Sequence, residues 1–447
     1  MHPLLLRLSF LSAAVAITSY SINRIVPEPY LDEAFHIPQA LAYCRDAFDV
    51  WDPKLTTPAG LYLLSYPLSF FDACTPSFLR AVNAFGVAVP LPVLIYRIQQ
   101  AIHGRRGAST NADNAQTALN VALFPLLYFF GGLYYTDVWS TIFVLAAYLA
   151  TLKRSPWAAA VFAWLSLWFR QTNVVWTVFI AAGWLVTRLQ EVDAGVYNPP
   201  ISAELVLGDF ISTPPSLLLA ALRNPVVTLN ALAPFLIPLT SFLAFLITNN
   251  FTIVLGDASA HVASLHLPQL LYFTGAVSFF SWPLLLPILP SLRPTPTKAL
   301  SLTLLAAFLA AAIKYNTILH PYLLADNRHY TFYVFRRVLL RLPFFLPVPA
   351  YVLSLWLQLR AATASTTAAW MLLFGAATAA TLVSAPLVEP RYFITAWTLW
   401  RCHVSVRGRW LWVEAAWYAA VGAVTIGVFL ARTFEWPGEE ARMRFMW

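Results

Sequence analysis

Residues 118–152 read ALNVALFPLLYFFGGLYYTDVWSTIFVLAAYLATL, and Asp137 is the one charged residue among them. A helix needs about 20 mainly apolar residues to cross the hydrocarbon of a bilayer, because each residue advances only ~1.5 Å. The stretch therefore reads as two spans, 118–136 and 138–152, turning at Asp137. Backbone polar groups cannot stay unpaired in lipid, so each span is a helix, and the short-strand alternation of a barrel is absent. Working outward, further apolar runs fall at roughly 3–22, 76–96, 156–169, 173–189, 226–248, 268–290, 299–313, 338–359, 364–384 and 410–431. A shorter run, 392–400, either spans, dips in or lies at the interface. The expectation is an all-α polytopic membrane protein with about twelve or thirteen crossings, forming one membrane-embedded domain over residues 1–447. The first run, Pro3 to Ile22, reads as an uncleaved anchor, since it exceeds the apolar core of a usual signal peptide.

Composition points the same way. Of the 447 residues, 59% are hydrophobic and 11% charged, with a mean hydropathy of +0.66. A soluble domain carries about 25% charged residues, so there is too little polar surface here to cover a water-soluble fold. The 28 Lys and Arg against 20 Asp and Glu leave a net charge of +8. That excess is spread over short loops rather than gathered in a patch, so nucleic acid is not implied. Three cysteines, Cys44, Cys74 and Cys402, are too few for a disulfide framework or a structural zinc site.

Lys and Arg in the short loops set the orientation. With the N-terminus in the cytosol, alternate connections carry Arg97, Arg105 and Arg106, then Lys153 and Arg154, Arg293 and Lys298, Arg360, and Arg407 and Arg409. The 190–225 segment falls on this cytosolic side as a loop, acidic at its start (Glu191, Asp193, Glu204, Asp209). The lumenal side receives 23–75, the turn at 137, 170–173, 249–266, 314–337 and 386–391. Lys314, Arg328, Arg336, Arg337 and Arg341 breach the charge rule there and call for an anionic counterpart.

The chemistry gathers on that lumenal side. In Pro29-Tyr30-Leu31-Asp32-Glu33-Ala34-Phe35-His36-Ile37-Pro38-Gln39, helical spacing puts Leu31, Phe35 and Pro38 on one face and Asp32, His36 and Gln39 on the other. This predicts a helix from Pro29 lying in the interface plane, apolar side down. Asp32 is either a helix-start carboxylate or a general base aimed into a cavity; Glu33 points ~100° away. Arg170 lies between two spans with Asp137 as a possible partner. Asp257 with His261 and His266 loosely resembles a metal-ligand set, but the five-residue spacing misaligns the histidines on a helix, and no metal is expected. Arg328 and His329 present donors suited to phosphate oxygens. Arg391 is a second such arginine, with pairing to Glu389 as its ordinary alternative, while Arg336 and Arg337 can simply snorkel to headgroups.

The blocks PYLDEAFHIPQALAYC, WDPKLTTPAGLYLL, FRQTNVVW, GDASAHVASLHLPQLLYF, HPYLLADNRHYTFYVFRR, EPRYF and RFMW resemble the eukaryotic dolichyl-phosphate-glucose α-1,2-glucosyltransferase family. They run in the family's order from Tyr30 to Trp447. The resemblance implies a GT-C type fold in the endoplasmic reticulum membrane with a lumenal active site. It implies dolichyl phosphate glucose as donor and a dolichyl-diphosphate-linked oligosaccharide as acceptor, with inversion at the sugar and no required metal or other cofactor. Asp32-Glu33 matches the position of the family's acidic pair.

On chemical grounds Asp32 is the first choice of base and Glu33 the second. Arg328, His329 and Arg391 are assigned to the donor phosphate, and His36, Asp257 and Arg170 to the acceptor or to support of the site. Two rival classes remain. A transporter would place its charges near the midplane and show symmetry between halves, neither of which is seen in the sequence. A mannosyltransferase of the same superfamily would share the acidic loop without the Arg328-His329 block.

Overall fold

The computed structural model describes residues 3–104, 109–201, 206–256, 263–293, 295–436 and 442–447. Among these the chain is mostly helical. Its strands are a two-residue antiparallel pair, Thr433–Phe434 with Met443–Arg444, Thr433 lying opposite Arg444. Five helices have by themselves the length and apolarity to cross a membrane: Pro3–Ile25, Pro76–His103, Pro225–Thr248, Lys298–Asn316 and Arg409–Ala431. Others are shorter, such as Asp137–Leu152 and Pro156–Leu167. The first of these is buried at 12 of its 16 positions, so neighbouring protein rather than lipid surrounds most of it. Proline sets the breaks. The run read as 118–136 consists of Asn111–Ala122 and Pro125–Gly131, because Pro125 has no N–H to donate and its ring collides with the preceding turn. Phe124, at that break, stacks on Trp397 with ring centroids 3.6 Å apart.

Two sequence expectations change here. The 190–225 segment is not a plain loop: it carries the helix Leu207–Arg223. Pro214 and Pro215 in its interior disguised it. Its exposed Leu207, Ile211, Leu218 and Leu222 fall on one stripe at helical spacing, an apolar face suited to lipid. The 392–400 run forms the helix Ile394–His403, buried at every position except Thr395. Ten residues cover only ~15 Å, which suffices because this helix threads through protein and not lipid.

Connections gather at two ends of the bundle. At one end Gly60 N–H donates to the Trp168 carbonyl at 2.8 Å, and Gln171 Nε2 to the Thr56 carbonyl at 2.7 Å. His266 N–H reaches the Val383 carbonyl, and Tyr330 N–H the Met446 carbonyl. The Cys44–Cys74 disulfide closes the first loop at this end. Gly256, at φ +61°, lies so close to the first loop that a Cβ would meet the Pro53 carbonyl oxygen at 2.2 Å; only glycine fits. At the other end Gln99 Nε2 donates to the Cys402 carbonyl at 2.7 Å, and Ala368 N–H to the Pro199 carbonyl. There Arg401 and Glu414, both fully buried, pair at 2.7 Å, and Asn120 Nδ2 donates to the same carboxylate at 2.7 Å. Polar pairs of this kind hold helices together where hydrophobicity cannot discriminate helix from lipid.

Candidate active site

Glu33–Cys44 forms a helix, but it starts later than Pro29 predicts. Leu31 takes φ +53° and turns the chain before Asp32, which occupies the position preceding the first helical residue. The faces also exchange roles. Glu33, His36, Ile37, Gln39 and Tyr43 are buried against the bundle, while Ala34 and Pro38 are exposed. The polar side chains face the protein because it offers them partners, and lipid or headgroups do not.

Glu33 is the clearest correction. Its carboxylate is fully buried and accepts four hydrogen bonds: Arg80 Nε at 2.9 Å, Arg80 Nη2 at 2.6 Å, Tyr134 N–H at 2.7 Å and Tyr30 N–H at 3.1 Å. Arg80, equally buried, also donates to Asn23, to the Val26 carbonyl and to the Glu28 carbonyl. All five guanidinium donors and the four carboxylate acceptor positions are used. Glu33 therefore has no lone pair left for a substrate proton; it clamps the first loop onto the Pro76–Ala88 helix.

Asp32 is differently placed. Its carboxylate is 41% exposed, and the surface it exposes is cavity wall. Two cavities meet there, of about 190 and 450 Å³, both bordered by Asp32, Tyr322, Leu387, Glu389 and Arg391. Arg328, His329, Asp326 and Trp447 line the smaller one. His36, Lys54, Asp137, Arg170 and Tyr392 line the larger. Arg391 joins the two sides: Nη1 donates to Asp32 Oδ2 at 2.6 Å and Nε to Glu389. Arg170 pairs with Asp137 at 2.7 Å and lies over the Tyr392 ring, as its position between spans predicts. Asp257 and His261, and likewise Arg105, Arg106 and Glu204, lie outside the described residues.

The basic cluster does not form a bare positive patch. Arg328 is fixed by Asp326, with Nε to Oδ1 at 2.8 Å and Nη2 to Oδ2 at 2.7 Å, and it stacks over Trp436. Each arginine thus arrives with a carboxylate, so what the wall offers a phosphate is directed N–H donors. Arg336, Arg337 and Arg341, expected to meet an anion, are exposed and border neither cavity. Sequence reasoning missed Asp326 and Arg80. Asp326 was legible in principle as the acid two residues before Arg328, whereas nothing local marks Arg80 as the partner of an acid 47 positions earlier.

Electrostatics separates the titrating groups. Burial alone raises the Asp32 carboxyl, but Arg391, with His36 and His329, outweighs it, and the group lies below its ordinary value. Burial likewise raises the Glu389 carboxyl, and the Arg391 guanidinium more than reverses that rise; for Asp326 the Arg328 hydrogen bond does the same. Burial pushes the His36 imidazole down to about 4, so it is neutral at pH 7. A carboxyl lowered by folding stabilises the fold above its unfolded pKa, and that contribution fades as pH falls through the folded value. The difference in thermal stability between the chain and its Asp32→Asn form is therefore expected to stay level from about pH 8 to about pH 5. It should shrink only below about pH 4. Melting curves in detergent across that range check this, and a difference that already collapses between pH 7 and 6 would contradict the Arg391 pairing.

Residues 26–402 match the model of the DIE2/ALG10 family. Relatives named Dol-P-Glc:Glc(2)Man(9)GlcNAc(2)-PP-Dol alpha-1,2-glucosyltransferase include one from Homo sapiens, 34% identical over 98% of this chain and 97% of its own length. Those from Arabidopsis thaliana (33%, over 96% and 97%) and Emericella nidulans (32%, over 95% and 95%) carry the same name. No solved structure matches. With a polytopic helical architecture, an acid at the junction of two cavities and similarity along nearly the whole length, the chain belongs to the DIE2/ALG10 family.

Proposed function

We propose that this chain transfers glucose from dolichyl phosphate glucose to the terminal glucose of the diglucosylated dolichyl-diphosphate oligosaccharide, forming the final α-1,2 linkage of the N-glycan precursor. The relatives that match it over 95–98% of its length are named for this donor and acceptor. The observation that carries the mechanism is Asp32 at the junction of two chambers. Inversion requires the attacking hydroxyl and the leaving phosphate on opposite faces of the donor sugar, each with its own space.

The phosphate occupies the smaller chamber, facing Arg328, His329 and Arg391. Arg391 spends Nη1 and Nε on Asp32 and Glu389, and its Nη2 makes no hydrogen bond among the described residues; that nitrogen meets the phosphate. The acceptor sugar enters the larger chamber. As the donor's C1–O bond to phosphate breaks through an oxocarbenium-like state, the acceptor oxygen bonds C1 and its proton passes to Asp32. A carboxylate held below its ordinary pKa is a weak base, so the proton moves late, once the attacking oxygen has acquired positive character. The site opens to the lumen of the endoplasmic reticulum, a reading supported by the Lys and Arg of the opposite connections.

The test is a transfer assay with the purified full chain, the diglucosylated acceptor, and labelled dolichyl phosphate glucose or mannose. Glucose alone is expected in the product. Transfer of mannose in its place, or of neither sugar, would overturn the reading.

A further inference from the structure

His36 lies one helical turn beyond Asp32, its backbone N–H donating to the Asp32 carbonyl at 3.0 Å. The imidazole is 7% exposed and borders the larger cavity. Its Nδ1 is 2.6 Å from the Tyr62 hydroxyl. Tyr62 is itself 1% exposed, and its hydroxyl has no other hydrogen-bond partner among the described residues. A buried O–H without an acceptor is costly, so the Tyr62 hydroxyl donates to Nδ1. With Nδ1 accepting and the ring neutral, the proton sits on Nε2. That nitrogen makes no hydrogen bond among the described residues, yet it is not sealed off from the cavity.

We propose that His36, held in this tautomer by Tyr62, donates an Nε2–H hydrogen bond to an acceptor-sugar hydroxyl adjacent to the attacking one. The inference rests on the proposed acceptor and names its positioning residue. The attacking oxygen itself is a poor target, because it needs one lone pair for C1 and gives its proton to Asp32. The neighbouring 3-hydroxyl of the same ring leaves both free. Nε2 carries a proton at neutral pH and so cannot serve as base; His36 orients the sugar and leaves proton transfer to Asp32.

The experiment compares acceptors whose terminal glucose is intact or 3-deoxy, using the full chain with donor and acceptor varied separately. The wild-type chain is expected to prefer the intact acceptor by about tenfold in kcat/KM. His36→Leu should lose that preference while the KM for dolichyl phosphate glucose stays constant, and His36→Gln, which keeps an N–H near the Nε2 position, should regain part of it. Should His36→Leu fail to fold, as melting would show, Tyr62→Phe removes only the hydroxyl and should weaken the preference several-fold. A His36 or Tyr62 variant that is folded and discriminates as well as wild type overturns the inference. So does a change confined to the donor KM, which would place the hydroxyl on the donor sugar. Absence of glucose transfer by the wild-type chain would instead refute the proposed reaction.

Discussion

Replacing Asp32 with asparagine is expected to lower glucose transfer by about 10²–10⁴-fold, the range over which a positioned general base acts. The amide keeps the shape of the side chain and can still accept a hydrogen bond from Arg391, but it cannot take up the acceptor's proton. The loss belongs in the chemical step, so single-turnover transfer should fall while the donor KM moves little. Asp32 is partly exposed to a cavity, so the substitution leaves no unpaired charge sealed in the interior, and the variant should remain folded. A folded Asp32→Asn form that transfers glucose at the wild-type rate would remove Asp32 from the reaction. Glu33 could not then take its place, because its acceptor positions are filled.

The neighbouring acid should respond in the opposite way. Glu33→Ala leaves the Arg80 guanidinium, fully buried, without its counter-charge, and breaking a buried pair from one side costs about 3–5 kcal/mol. The expected result is a chain that melts far below wild type or fails to accumulate. The double substitution Glu33→Leu with Arg80→Met removes both charges and should recover part of the stability, since apolar replacement of a whole buried pair is often close to neutral. Thermal melts of the three variants in detergent measure both effects. If Glu33→Ala kept wild-type stability and lost only transfer, the clamp described above would be refuted and a chemical role restored to Glu33.

These contrasting outcomes for adjacent residues show where reading the chain stops. The apolar runs were plain, because a bilayer demands about 20 apolar residues per crossing and leaves little freedom in how to supply them. Helix breaks inside those runs were harder. Pro125 opens a new helix after a break, whereas Pro214 and Pro215 sit within one, and local sequence does not say which prolines the surroundings will accommodate. In the site, Arg170 with Asp137 was legible because an ionisable group between two spans needs a partner and few are within reach. The clamp on Glu33, by contrast, leaves no local mark beside Asp32.

Sequence alone determined that the chain is a helical membrane protein that resembles a known family, and that the candidate residues of the site fall in the connections of one side. The membrane class follows from composition and spacing, and the resemblance from blocks of residues in a set order; neither needs coordinates. Tertiary structure decided the division of labour among those residues. Consecutive side chains on a helix point ~100° apart, so a single turn of backbone sends Glu33 into the bundle toward Arg80 and leaves Asp32 facing the junction of two chambers. Which of the two meets a buried arginine is a question of packing between segments far apart in the chain, and no local pattern carries that information.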